Sequence, residues 1–124
     1  MKEVYFLFRS DKPAKKFVMV MPSHNHLHYF GATGYRDFTL MNDKNSKFYE
    51  KEEMEREKVR RNYISRHKKE PKGEHTPSSM SDLILWSNPT LAGGIKKYEE
   101  RFDVRVKFKD KKLSEKLKKQ LLAK

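Results

Sequence analysis

The chain has 124 residues, a formal charge of +12, and 35% hydrophobic against 37% charged residues. That length suits one domain, which buries roughly two-thirds of the surface its unfolded chain exposes, and 15 aromatics (8 Phe, 6 Tyr and 1 Trp) exclude a wholly disordered chain despite the charge. The absence of cysteine excludes disulfides and thiolate metal sites, and no apolar run approaches the roughly 18 residues needed to span a bilayer.

Met1-Lys2-Glu3-Val4 leads directly into a strand pattern with no signal-peptide cleavage site, so a soluble, intracellular and non-secreted protein is expected. Val4-Tyr5-Phe6-Leu7-Phe8 and Phe17-Val18-Met19-Val20-Met21 are apolar runs separated by Ser10-Asp11-Lys12-Pro13-Ala14, which predicts a hairpin. A third run, Leu27-His28-Tyr29-Phe30, follows the turn Pro22-Ser23-His24-Asn25 and completes an antiparallel three-strand meander. Such a meander needs a cover on its apolar face. His24, His26 and His28 alternate and fall on one strand face, but without nearby carboxylates they read as polar-face residues, and no metal is expected. Gly31-Ala32-Thr33-Gly34 lacks the Lys-Ser/Thr of a phosphate-binding loop and reads as a turn out of the sheet.

Residues 46–69 hold no Gly or Pro and are rich in Glu, Lys and Arg, so a helix is expected from Asn45 or Ser46 to about Lys69. Five glutamates lie within residues 47–57, whereas residues 58–69 carry six cations and no acid. The split complements the helix dipole and equally presents a basic end to phosphate. Residues 70–77 form a polar, helix-breaking loop. Ser79 or Ser81 should cap a short helix over 79–87, ended by Asn88-Pro89, and Thr90 a further helix over 90–102. Val104-Arg105-Val106-Lys107-Phe108 alternates apolar and cationic residues, as a half-buried strand with a basic outer face does. A last helix over 110–123, begun by Asp110 or Ser114, has a narrow stripe of Leu113, Leu117 and Leu121.

The expected fold is α+β: a small antiparallel sheet, with a possible fourth C-terminal strand, covered by three to four helices. Residues 1–109 form the domain and residues 110–124 a basic helix, loosely docked or awaiting a partner. Phe6, Phe8, Val18, Val20, Leu83, Trp86, Tyr98 and Phe102 are the expected core. Asp37 and Arg66 are expected to meet.

Residues 95–124 contain 12 Lys or Arg against 5 Asp or Glu, a net +7. Such a basic balance favours a polyanionic partner, nucleic acid first. Phosphate needs cations and single strands need aromatic platforms. Tyr35, Arg36, Arg60, Arg61, Arg66, His67, Lys68, Arg105 and Lys107 are the candidate contacts, with Tyr29 a further aromatic. No convergent acid, base or nucleophile is visible, so neither a catalytic residue nor a cofactor is assigned. The sharpest enzymatic alternative is a metal-dependent nuclease using His28, Asp37 and His67.

Phe30-Gly31-Ala32 with Gly34-Tyr35 and Asp37-Phe38-Thr39 opens a series of short motifs. Tyr63 with Arg66-His67-Lys68, Leu83-Ile84-Leu85-Trp86-Ser87-Asn88-Pro89 and Arg101-Phe102 follow in order. The series resembles a family of small basic proteins of large nucleocytoplasmic (giant) DNA viruses over about residues 3–102. This chain departs in its acidic segment around residues 47–57 and its Leu- and Lys-rich tail. The resemblance implies a viral origin and supplies no catalytic residue. It also implies a place in the virion, as a minor capsid or virion-associated protein among other virion proteins, or inside the infected host cell, in cytoplasm or nucleus. It leaves DNA against RNA and the oligomeric state open.

Overall fold

The computed structural model describes residues 2–122. Strands β1 (Val4–Arg9), β2 (Lys15–Met21) and β3 (His26–Ala32) form the expected antiparallel meander. The fourth strand, β4 (Arg105–Lys112), joins the free edge of β1, giving the order β3-β2-β1-β4. It runs parallel to β1, with Val4 opposite Arg105 and Tyr5 opposite Val106, so the sheet is mixed. The reason is the route of the chain: parallel neighbours require a crossover, and residues 33–104 supply it as a helical layer on one face.

That layer comprises α1 (Phe38–Met41), α2 (Glu53–His67), α3 (Pro77–Met80) continued by a π-helical turn (Ser81–Trp86), and α4 (Leu91–Phe102). Tyr5, Leu7, Phe17, Met19, Met21 and Phe30 face it and pack against Met80, Ile84, Leu85, Trp86 and Tyr98. Phe8, Val18 and Val20 point to the opposite face, where Leu113 and then Leu117 and Leu121 of α5 (Glu115–Leu122) cover them. The central strands β1 and β2 are therefore covered on both faces, which explains why they read as continuous apolar runs rather than as alternation. Of the expected core, Phe8, Val18, Val20, Trp86 and Tyr98 are buried, while Phe6, Leu83 and Phe102 are only partly buried at its margin.

Several element boundaries differ from expectation. Residues 43–52 are turns and then irregular chain rather than the first part of a helix, because side chains at the start of this stretch satisfy the backbone locally. Asp43 Oδ1 accepts from Asn45 N at 2.9 Å and Ser46 Oγ from Phe48 N at 3.0 Å. Such bonds compete with helical ones. Thr76, not Ser79 or Ser81, caps α3, with Pro77 in the first helical position. Residues 110–112 belong to β4 rather than to the last helix, and Ser114 Oγ accepts from Leu117 N at the start of α5. Thr90 caps α4 as expected, through Gly93 N.

Gly94 lies within the unbroken helix α4 for a steric reason. A Cβ there would lie 2.1 Å from the carbonyl oxygen of Ile84, so only glycine lets α4 approach the π-helical turn this closely. That approach fixes the position of Trp86, on which the cleft described next depends.

Candidate functional site

A cleft of about 830 Å³ opens between the end of β3 and helix α2, with the π-helical turn as its floor. It brings together the first motifs of the series, within residues 30–39 and 63–68: Tyr35, Arg36 and Asp37 lie on one lip, Tyr63, Arg66 and His67 on the other.

The first lip is held rigidly. Asp37, only 2% exposed, caps α1 by accepting from Leu40 N at 2.9 Å and also accepts from the Thr39 hydroxyl at 2.6 Å. Its second oxygen takes Lys16 Nζ at 2.8 Å, and the same ammonium donates to the carbonyl of Tyr35 at 2.6 Å. Asp37 is thus saturated by Lys16, Thr39 and Leu40, and the expected partnership with Arg66 does not form; Lys16, adjacent across the hairpin, reaches the carboxylate first. Gly31 and Gly34 adopt φ of 78° and 87° and carry the chain from the sheet into this loop. Tyr35 is left 71% exposed although its backbone is fixed.

The second lip is a run of rings. Trp86 stacks on Tyr63 with centroids 4.1 Å apart at 7°, and Tyr63 meets His67 at 4.2 Å and 31°. His67 Nδ1 lies 2.8 Å from Glu70 Oε2, which orients the imidazole. Hydrogen bonds from Ser78 and then His67 hold the Glu70 carboxyl below its ordinary range, so it stays anionic. Burial, and then the charge of Asp82, push the Tyr63 phenol up to about 12, so that it stays neutral and acts as a flat apolar surface. Arg60 is spent on the scaffold: its Nε donates to the carbonyl of Trp86 at 2.8 Å and its guanidinium lies 5.6 Å from the Phe38 ring.

Four Lys or Arg side chains line the cleft (Lys15, Lys16, Arg36 and Arg66) against two carboxylates, Asp37 and Glu70. Lys16 is taken by Asp37 and Glu70 by His67. Lys15, Arg36 and Arg66 form no ion pair among the described residues and leave the cleft electropositive.

The candidate contacts therefore separate into groups. Tyr35, Arg36, Arg66 and His67 share the cleft. Arg61 and Lys68 are exposed at and beyond α2, outside the lining. Arg105 and Lys107 are exposed on β4, alternating with buried Val104 and Val106, at the far edge of the sheet. Sequence reasoning missed Lys15 and Lys16, which only the β2–β3 pairing carries to the cleft, and gave Tyr63 and Trp86 no binding role.

The structure does not gather His28, Asp37 and His67, since His28 lies outside the cleft that the other two line. It belongs instead to a cluster containing four of the five histidines. His24 and His75 have centroids 4.4 Å apart, His28 and His75 6.2 Å, and His26 and His28 5.7 Å. His24 sits in the turn before β3 rather than on the strand, and His75 comes from the loop before α3. Among the described residues no three His, Asp or Glu side chains are placed to hold a metal ion, and no helix is long and apolar enough to cross a membrane.

Comparison with family models, curated proteins and solved structures finds no match.

Proposed function

We propose that this protein binds a polyanion, nucleic acid, through its phosphates and without catalysis. One observation carries the reading: the cleft sets Lys15, Arg36 and Arg66, all without carboxylate partners among the described residues, around an exposed tyrosine and a run of stacked rings. Cations of this kind supply affinity that is indifferent to base sequence, and aromatic faces supply a surface that any base fits. Arg61 and Lys68 extend the positive surface beyond the cleft, and the lysines of β4 and α5 extend it at the other edge. On this reading the protein works where the viral resemblance puts it, in the virion or inside the infected cell, beside the genome.

Salt dependence tests it. If about six phosphates are neutralised, affinity for random-sequence oligonucleotides falls by about 10³-fold between about 50 and 200 mM salt. Charge reversal at Arg36, Arg61 and Arg66 weakens binding to every sequence, whereas reversal at Glu52 and Glu53, which lie outside the cleft, does not. Arg60 is left intact because it holds Trp86. No binding at low salt, or binding unchanged in the triple variant, overturns this reading in favour of a structural role among virion proteins.

A further inference from the structure

We infer that the cleft takes an unpaired base, so that the protein selects single-stranded over double-stranded nucleic acid. The inference rests on the nucleic-acid reading above and specifies what its site accepts.

A surface that recognises only phosphate needs cations and has no use for aromatic walls. Here the cations rim a concavity of about 830 Å³, within the usual range of small-molecule pockets and ample for a nucleotide. Its walls are aromatic and flat. The run Trp86, Tyr63, His67 ends at a partly exposed imidazole, and Glu70 holds that ring in place. Across the cleft stands Tyr35, the most exposed aromatic among the large hydrophobic residues of the described chain.

The exposure of Tyr35 does not come from a slack loop. Its carbonyl is held by Lys16, whose ammonium is in turn fixed by buried Asp37. The backbone beneath the ring is therefore already ordered, and a base that stacks on Tyr35 pays little for arranging its platform. Asn62, exposed on α2 and in the lining, presents an amide that can both donate to and accept from a base edge. Lys15, Arg36 and Arg66 stand where the phosphates flanking that base would run. A paired base offers neither face to such a slot, because both are covered by its neighbours in the stack.

The test compares a twelve-nucleotide oligo-dT, the matching duplex, and a strand in which the central residues are abasic, all at one salt concentration. Trp86 is the only tryptophan and forms part of the wall, so its fluorescence reports occupancy directly. Oligo-dT is expected to bind at least about 10-fold more tightly than the duplex or the abasic strand and to change the Trp86 emission. Tyr35→Ala should lower oligo-dT affinity by about 10-fold to 100-fold, the range of one lost stacking contact. The same variant should leave duplex affinity within about 2-fold, and Tyr35→Phe should restore strand preference. Since Tyr35 is exposed, the Ala variant is expected to fold, and an unchanged circular dichroism spectrum checks this. A parallel oligo-U arm distinguishes RNA from DNA, and loss of binding in an abasic RNA supports the slot equally. If abasic and intact strands bind alike while salt dependence persists, the base slot is overturned and phosphate binding stands. If none of the strands binds at low salt, both readings fall.

Discussion

Two side chains, buried Asp37 and half-buried His28, show how enclosing a polar atom has opposite consequences when the hydrogen bonding differs. Asp37 is enclosed but has Lys16, Thr39 and Leu40 around its two oxygens, so its charge is compensated and it anchors the cleft loop. His28 Nε2 is buried with no partner. Burial first, then the neighbouring His26 and His75, lower its pKa from the ordinary value. Glu3 lies against His24, and Glu74 accepts from the Tyr5 hydroxyl with His75 nearby, so the carboxylates of the cluster are engaged by groups other than His28. A histidine whose folded pKa lies below its unfolded value of about 6.5 binds its proton more readily when unfolded. Its contribution to stability is therefore complete above about pH 6.5 and is lost as the pH falls from there to the folded value. Replacing His28 by Gln is expected to reduce the loss of unfolding free energy between about pH 7 and pH 5, measured by denaturant titration at each pH. An identical pH dependence in the variant and the parent contradicts this.

At the scale of elements, α4 makes the same point about glycine. Propensity alone says that Gly94→Ala should stabilise the helix by about 1 kcal/mol. The Ile84 carbonyl, 2.1 Å from the added Cβ, forces backbone to move instead, and overpacking of this kind costs about 1–3 kcal/mol. The packing cost should win, and the variant should melt lower than the parent; a higher melting temperature would show that the π-helical turn yields. Legibility followed the same division between local and non-local causes. Thr90 as a cap, the meander and a strand over Val104–Phe108 were readable, though not its continuation to Lys112, because caps, turns and alternation are written in neighbouring residues. The false start of α2 was not, since Asp43 and Ser46 look like capping residues yet close turns of their own. The π-helical turn, packed closely against Gly94, had no sequence signal. In the site, Tyr35, Arg36, Arg66 and His67 were legible as aromatic and basic residues in two blocks. The commitment of Arg60 to Trp86, and of Asp37 to Lys16 rather than Arg66, depends on tertiary geometry that no spacing encodes.

At the scale of the whole molecule, charge and shape point to different places. The largest excess of cations lies in residues 95–124, along β4 and α5, whereas the concave aromatic surface lies at the opposite edge of the sheet, beyond β3. Part of the C-terminal charge serves the fold: Lys118 joins Asp11 at 3.1 Å and helps hold α5 over Phe8, Val18 and Val20. If net charge alone decided the interface, nucleic acid would lie along β4; if the geometry of the cleft decides it, the strand lies between Tyr35 and His67. Backbone amide and Trp86 indole NMR shifts, followed while oligo-dT is added at about 150 mM salt, separate the two most directly. The account predicts the largest shifts at Tyr35, Arg36, Tyr63, Arg66, His67 and the Trp86 indole, with those of Arg105, Lys107 and Lys109 small. Shifts confined to β4 and α5, with the cleft unmoved, would contradict it.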